Sequence, residues 1–306
     1  MKKKNLYLHV GWPKTGTSAI QAQIQAQHDD FIENGILYPR TIQWDDHSHH
    51  PFALSFKSSG PYHSATSIDA TLKKLHSEMN NCTTESVLIS SELSPIYFES
   101  KEFAEFAKDN FSCVKIIFTL RCQSELIISL FNQLIKDNNI RYRGSLFALA
   151  MQNIRWLNFH ATIKKWMEFV GINNIIILSY DQKIVPNFLS LFSVGLKENS
   201  LLTEKQNQSL PYRCLPAIQE LGKEIDNLLE YQEIKRKIVD TSKFIPVEND
   251  THSLFSVAEQ AGFDNFFAES NLLLEKELGF EHRKIKKNHY TPFMAISPNL
   301  IKMDSY

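Results

Sequence analysis

Residues 5–28 combine a short apolar run, two glycines and a helical pattern, and this combination limits the fold more than any other part of the chain. Residues 6–10 favour a buried parallel strand because they are mostly apolar and include β-favouring side chains. Gly16 allows a backbone turn that other residues avoid, and the helical spacing of Ile20 and Ile24 indicates a helix directly after it. A strand, a glycine loop and a helix in this order predict an α/β fold with a parallel sheet.

The loop between this strand and helix is predicted to bind an anion. Backbone amides at the helix start lack helical partners and, with the positive end of the helix dipole, favour a negative ligand. Lys14 adds a full positive charge. Gly11 and Gly16 have the spacing of the phosphate loop in nucleotide kinases and ATPases, but Thr17 occupies the position of the usual lysine. The residues alone leave open an ordinary glycine turn, a nucleotide kinase or NTPase, and a nucleotide-binding module without catalysis.

Further β-like runs end in polar residues. Residues 87–89 precede Glu92, residues 114–120 precede Arg121, and residues 174–181 form another apolar run with a polar end. Ligands of open parallel sheets bind beyond the carboxyl ends of the strands. Glu92 and Arg121 are therefore expected beside the glycine loop.

The chain is predicted to form one α/β domain over residues 1–306, since no linker rich in Pro, Gly and Ser divides it. Residues 40–67 are predicted to be a loop insertion, and residues from about 186 to 306 a mostly helical extension of the same domain. Helical patterns lie at residues 69–79, from 103, after 121, and at 145–170, 216–229 and 266–278, and a short strand lies at 35–39.

Composition excludes several classes of function. With a net charge of −1, the chain has no global basic field that would attract nucleic acid or an anionic membrane. Its four cysteines have no C-x-x-C or zinc spacing and are predicted to be scattered buried thiols, which suits a reducing compartment. No apolar stretch approaches the roughly 18 residues of a membrane-spanning helix. These features predict a cytoplasmic protein with no nucleic-acid partner and no integral membrane segment.

The predicted loop insertion is rich in histidine, with His47, His49, His50 and His63. A metal site is one interpretation of this cluster. No Cys, Asp or Glu accompanies the histidines at a recognised ligand spacing. Solvated loop histidines without a metal are therefore predicted.

Residues 13–18, Pro-Lys-Thr-Gly-Thr-Ser, resemble the 5′-phosphosulfate loop of the sulfotransferases that use 3′-phosphoadenosine 5′-phosphosulfate (PAPS). Arg121 at a strand end and Ser129 eight residues later resemble the 3′-phosphate site of the same family. Residues 207–210, Asn-Gln-Ser-Leu, resemble an element of its bacterial carbohydrate-sulfating members. Together these elements resemble a bacterial carbohydrate sulfotransferase over nearly the whole chain.

The resemblance implies a three-layer, P-loop-NTPase-like fold and sulfuryl transfer from PAPS to a hydroxyl group, without a metal. The acceptor it implies is a glycan or another hydroxyl-bearing small molecule, with Trp12, Trp44 and Trp156 as candidate contacts. The residues implied to bind PAPS are Lys14, Thr15, Gly16, Thr17, Ser18, Arg121, Ser129 and Tyr180. For Tyr180, packing against the following helix is an equal alternative.

The resemblance also implies two catalytic roles. Lys14 would neutralise the oxygen that leaves sulfur. The general base has no unique match: Glu92 is the first candidate because it follows a strand end, and His49 is the alternative because its loop could close over the acceptor. A purely structural role for Glu92, as a helix cap or lysine partner, also remains open at this point.

Overall fold

The computed structural model describes residues 3–56, 67–93, 101–197, 209–242 and 257–280. Its strands are β1 (Lys4–Gly11), β2 (Ile36–Leu37), β3 (Ser86–Ser90), β4 (Phe111–Leu120) and β5 (Ile175–Ser179). They form one five-stranded parallel sheet in the order β2-β3-β1-β4-β5. The predicted α/β fold and its parallel sheet are confirmed.

The helices in the first half of the chain are α1 (Thr17–Ala26), α2 (His28–Glu33), α3 (His50–Ser55), α4 (Ile68–Asn80) and α5 (Lys101–Asn110). Those in the second half are α6 (Gln123–Lys136), α7 (Leu146–Gln152), α8 (Phe159–Val170), α9 (Ile184–Ser190), α10 (Leu215–Glu224), α11 (Leu228–Ser242), α12 (Val257–Phe266) and α13 (Ala268–Leu278). The helical C-terminal part is thereby confirmed. None of these described helices is both long and apolar enough to cross a membrane.

The chain divides into two compact units. The first comprises residues 1–121, 159–204 and 270–282 and contains the sheet. The second comprises residues 122–158, 205–269 and 283–306, and its described elements are helical. The organisation of residues 1–306 as a single domain stays a prediction.

Helices of the first unit cover both faces of the sheet. On one face, Ile20 and Ile24 of α1 and Phe188 of α9 belong to one buried cluster with Leu88 and Ile117 of the sheet. On the opposite face, the aromatic ring of Phe118 packs on Trp12 and Trp166, and α5 adds Phe103 against Trp166. The two apolar faces explain why the central strands contain almost continuous runs of buried residues.

In the second unit, side-chain hydrogen bonds to the backbone hold the segments between helices in place. The Asn132 side chain in α6 donates to the Leu210 carbonyl at 2.8 Å and accepts from the Leu210 amide at 3.0 Å. The Arg141 guanidinium donates to the Ile225 carbonyl at 2.7 Å and lies over the Tyr231 ring, 4.2 Å from its centroid. These bonds fix the segments that precede α10 and α11.

Two helices predicted as continuous are broken. The pattern at 145–170 forms two helices, α7 and α8. Where α7 ends, the side-chain amide of Asn153 donates to the Leu149 carbonyl at 2.8 Å. The pattern at 216–229 covers α10 and only the first turn of α11, and the Asn227 side chain accepts from the Leu229 and Glu230 amides at the start of α11. In both places a local side-chain bond to the backbone competes with the helix, so periodicity alone overestimated its length.

The predicted loop insertion is only partly a loop. His50–Ser55 form α3, and the side chains of His49 and His50 are buried, which corrects the prediction of solvated histidines here. His49 is held by the neighbouring strand, because its amide donates to the Ser90 carbonyl at 2.8 Å. His63 and most of the Asn-Gln-Ser-Leu element lie outside the described residues.

Candidate active site

The glycine loop has a backbone conformation that presents amides beyond the end of β1. Lys14 and Gly16 have positive φ angles of 68° and 84°, and α1 begins directly after Gly16. The first helical bond runs from the Ile20 amide to the Gly16 carbonyl at 3.0 Å. The N-cap residue Gly16 gives no side-chain bond to the first amides of α1, and a helix start of this kind favours a nearby anion.

Close packing explains the two glycines of the loop. A Cβ atom on Gly11 would overlap with Cγ2 of Thr17, and one on Gly16 would lie 3.1 Å from Ile184 and 3.2 Å from the Tyr180 ring. The loop therefore sits directly against α1 on one side and against the end of β5 on the other. A side chain at Gly11 would displace Thr17, and one at Gly16 would combine tight contacts with an unfavourable positive φ.

Three strand ends meet at this loop. Arg121, directly after β4, donates from Nη1 to the Lys14 carbonyl at 3.3 Å. Its guanidinium also stacks on the ring of Tyr180, which follows β5, at 4.7 Å from the centroid. The structure thus brings together Lys14, Gly16, Arg121 and Tyr180, four of the residues that the sequence implied for PAPS. Tyr180 also packs on the apolar core, as the alternative interpretation expects, whereas its contact with a nucleotide stays a prediction.

The remaining residues of the implied PAPS site have different environments. Thr15 and Thr17 are buried within the loop, whereas Ser18 is exposed on the first turn of α1. Ser129 lies on α6 in the second unit and is half-buried. The pairing of Arg121 with Ser129 at a 3′-phosphate stays a prediction.

Glu92 follows β3 and is held by two neighbours. The Gln21 amide in α1 donates to its Oε2 atom at 3.3 Å, and Nε2 of His50 lies 3.6 Å from its Oε1 atom. Burial by itself raises the pKa of the Glu92 carboxyl, but His50, the backbone and Gln21 outweigh this effect, so that the pKa is lowered overall. Its side chain is 21% exposed, which leaves an ionised carboxylate within reach of solvent.

His49 has a structural environment rather than that of a base. It is fully buried, its Nδ1 atom accepts from the Ser90 amide at 3.0 Å, and its Nε2 atom donates to the Pro39 carbonyl at 2.8 Å. Burial lowers the pKa of the His49 imidazole to about 4. With both ring nitrogens bonded to the backbone, this geometry argues against the alternative that His49 takes the acceptor proton.

His9 and Gln21 were not among the residues predicted for the site, and His50 was predicted only as a solvated loop histidine. His50 contacts Glu92, and its Nδ1 atom lies 2.8 Å from the Ser91 hydroxyl. His9 lies fully buried within β1, and Gln21 is buried on α1. A signal for the last two existed, because each is a polar residue at a position that the apolar pattern assigns to the interior.

The tryptophans proposed as acceptor contacts have different roles. Trp12 is fully buried and packs on Phe159 with a centroid distance of 4.8 Å, so it is a core residue and not an acceptor contact. Trp44 is 45% exposed and meets the His50 ring edge-to-face at 5.0 Å. Trp156 belongs to the second unit and is half-buried. Trp44 therefore lies beside the Glu92–His50 pair with part of its indole open to solvent.

Among the described residues, no group of three or more His, Cys, Asp or Glu side chains is arranged to hold a metal ion.

Comparisons with known proteins identify which solved structures have a fold similar to that of this chain. No protein-family model and no curated protein sequence matches the chain. A sulfotransferase from Alicyclobacillus acidocaldarius has a similar structure, with a TM-score of 0.50 and 16% identity over 92% of this chain and 98% of that chain. A mouse sulfotransferase complexed with PAP matches with a TM-score of 0.40 and 13% identity over 90% of this chain and 88% of its own, too low to support an argument.

The likeness to the Alicyclobacillus protein shows that the chain has a sulfotransferase fold. The predicted resemblance is confirmed at that level.

Proposed function

We propose that this protein transfers a sulfuryl group from PAPS to a hydroxyl group of an acceptor. One observation carries the proposal: Arg121, directly after β4, bonds to the Lys14 carbonyl in the glycine loop that leads into the N-terminus of α1, within a sulfotransferase fold. Thr17, at the position where kinases and ATPases have lysine, distinguishes this loop from an NTPase site.

The loop fits the anionic end of PAPS. The amides at the N-terminus of α1 and the Lys14 ammonium group would supply positive potential for the 5′-phosphosulfate. Thr15, Gly16, Thr17 and Ser18 complete this part of the proposed site. Tyr180 would contact the nucleotide, and Arg121 with Ser129 would hold the 3′-phosphate, a role that suits the planar, two-pronged guanidinium group.

The proposed reaction is an in-line displacement at sulfur. A bond forms between the acceptor oxygen and sulfur while the bond from sulfur to the phosphate oxygen breaks, and the bonding electrons remain on that leaving oxygen. Lys14 stabilises the growing negative charge there, and positioning supplies most of the remaining rate enhancement, by analogy with phosphoryl transfer. No metal is assigned to this reaction.

The acceptor proton passes to Glu92 in this proposal. Gln21 and His50 fix the carboxylate, and the lowered pKa keeps it ionised at neutral pH. A base of this kind contributes typically about 10²–10⁴-fold to the rate. Glu92 is therefore preferred to His49, whose ring nitrogens are both bonded to the backbone.

We infer a glycan acceptor from Trp44. Its partly exposed indole next to His50 offers a flat apolar surface, on which the apolar face of a sugar ring could stack while a hydroxyl approaches Glu92. Trp44→Ala should then raise the KM for the acceptor with a smaller change in the KM for PAPS. Trp44→Phe, which keeps an aromatic ring, should be affected less.

Mass spectrometry tests the proposed function. The full chain is incubated with PAPS and with separate glycan, phenol and steroid-alcohol acceptors, and products are examined for the mass of one added SO₃ group. The proposal predicts sulfated glycan together with equimolar 3′-phosphoadenosine 5′-phosphate (PAP). Release of no PAP with any acceptor would contradict sulfuryl transfer, whereas sulfation of the phenol or steroid alone would contradict the glycan acceptor.

A further inference from the structure

A continuous chain of hydrogen bonds, buried except for the part-buried bond to Glu92, connects the glycine loop with Glu92, and His9 lies at its centre. Nδ1 of His9 lies 2.8 Å from the Ser90 hydroxyl, and Nε2 lies 3.2 Å from the Thr119 hydroxyl. The Thr119 hydroxyl lies 2.8 Å from that of Thr15 in the loop. Gln21 donates to Ser90 at 3.1 Å as well as to Glu92 at 3.3 Å.

The direction of each bond follows from the end of the chain. Thr15 donates its proton to the Trp12 carbonyl, so the Thr119 hydroxyl donates to Thr15. Thr119 must then accept from the Nε2 proton of His9, and Nδ1 of His9 must accept from the Ser90 hydroxyl. Ser90 is left to accept from Gln21, which agrees with the observed bond. This assignment uses each hydroxyl proton once, and it requires His9 to be neutral and protonated on Nε2.

Burial supports that protonation state. His9 is fully buried in β1, its ring packs on Phe188 at 4.8 Å, and burial lowers the pKa of the imidazole to about 4 despite the opposing effect of Glu92. Ser90, Thr119 and Thr15 are also fully buried. Since polar groups without water must find partners in the protein, the bonds of His9 determine how Ser90 and Thr119 are oriented.

We propose that His9 is a positioning residue that aligns the donor loop and the general base with each other. Its Thr119 bond holds Thr15 in the loop, and its Ser90 bond holds Gln21 and through it Glu92. His9 itself contacts neither substrate. This inference rests on the proposed sulfuryl transfer. It adds that a residue of the sheet, His9, positions both the donor loop and the general base.

The strongest test compares His9→Phe and His9→Gln with the full-length wild type. Phenylalanine retains the packing on Phe188 and removes both bonds, whereas the glutamine amide retains a donor near the Nε2 position. Because small displacements of reacting groups can slow a reaction about 10²-fold, we expect His9→Phe to lower kcat at least about tenfold. We expect the Kd for PAP to change less than about threefold, and His9→Gln to recover at least about threefold of the lost kcat.

Ile117→Val is the matched control, because Ile117 pairs with His9 in the neighbouring strand and belongs to the same buried face without joining the polar chain. Circular dichroism and the melting temperature of every variant separate misfolding from mispositioning. A folded His9→Phe protein with the kcat of Ile117→Val would overturn the proposal, as would equal kcat values for His9→Phe and His9→Gln. If the wild type neither binds PAP nor transfers a sulfuryl group, the proposed function itself fails. If the wild type binds PAP and transfers a sulfuryl group, a negative result with the His9 variants contradicts only the role of His9.

Discussion

Lys14 has an unusual backbone conformation and is also the residue proposed to stabilise the leaving oxygen. Its positive φ of 68° turns its carbonyl toward Arg121, and its side chain lies half-buried at the loop that would hold the 5′-phosphosulfate. The backbone bond to Arg121 does not depend on the lysine side chain. A substitution can therefore remove the charge and leave this part of the loop geometry in place.

Lys14→Gln should lower kcat for sulfuryl transfer by about 10²-fold or more and weaken PAP binding much less, because the charge is needed mainly when the leaving oxygen becomes negative. Steady-state kinetics and calorimetry with PAP measure the two effects. Lys183→Gln, on an exposed lysine of the same unit, serves as the control. Near-normal turnover in a folded Lys14→Gln protein would refute the role.

Glu92→Gln should abolish most transfer and retain PAP binding, since glutamine keeps the shape of the side chain but cannot accept the proton at neutral pH. The lowered pKa of Glu92 further predicts that the acid limb of kcat/KM lies below the range of an ordinary glutamate. A pH–rate profile of the wild type checks this second expectation. Wild-type kcat in Glu92→Gln, or an acid limb in the histidine range, would exclude Glu92 as the base.

At the scale of elements, the junction of β1, the glycine loop and α1 is the part of the site most tightly constrained. Gly16 has both a positive φ and close neighbours at Tyr180 and Ile184, whereas Gly35 has a positive φ of 76° and no atom within 4 Å of a built Cβ. The two glycines therefore separate the cost of backbone conformation from the cost of close packing.

Gly35→Ala should lower the free energy of unfolding by about 1–2 kcal/mol, the usual cost of a left-handed conformation for a residue with a side chain. Gly16→Ala should lower it further and also weaken PAP binding, because the added methyl group pushes the loop away from Tyr180. Urea unfolding and calorimetry provide both quantities. Equal losses of stability, with PAP affinity unchanged in Gly16→Ala, would contradict the packing argument.

Elements with strong local signals could be predicted from the sequence. β1, β3, β4 and β5 are apolar runs with clear ends, and parallel pairing places those ends at one edge, so Lys14, Arg121 and Tyr180 meet there as expected. An asparagine side chain bonds to the backbone at the end of α7 and at the start of α11, where the predicted helices are broken. Helical periodicity contains no information about such bonds.

The polar chain and the Glu92–His50 pair could not be predicted, because they depend on register between strands far apart in sequence. His9 faces Ser90 in β3 and Ile117 in β4 only in the observed pairing, and a slip of one residue would turn it to the opposite face of the sheet. His50 reaches Glu92 because His49 is bonded to Ser90 on both its backbone and its ring. These are consequences of tertiary structure rather than of local pattern.

For the whole molecule, the full burial of His9 and His49 predicts acid sensitivity. Burial lowers the pKa of His9 and of His49 from 6.5 to about 4. Between these values the unfolded chain binds more protons than the native protein, so the free energy of unfolding falls as the pH falls, and the loss levels off below the native pKa.

Each histidine should account for about 2 kcal/mol of lost stability between pH 7 and pH 5. Urea unfolding at the two pH values measures this loss, and His9→Phe should remove roughly half of the pH dependence. Carboxylates with a lowered pKa, such as Glu92, act in the same direction at more acidic pH. A wild-type free energy of unfolding that is the same at both pH values would show that these imidazoles are not held neutral by the fold.

The central claim is that the loop and Arg121 form a PAPS site, and calorimetry with PAP and with adenosine 5′-monophosphate tests it most directly. The two ligands differ only in the 3′-phosphate, which Arg121 and Ser129 are proposed to hold. Charge-assisted hydrogen bonds of about 1.5–3 kcal/mol predict that wild-type protein binds PAP about 10- to 100-fold more tightly, and that Arg121→Ala loses this preference. Equal affinities in the wild type, or tighter binding of ATP with magnesium than of PAP, would contradict the account.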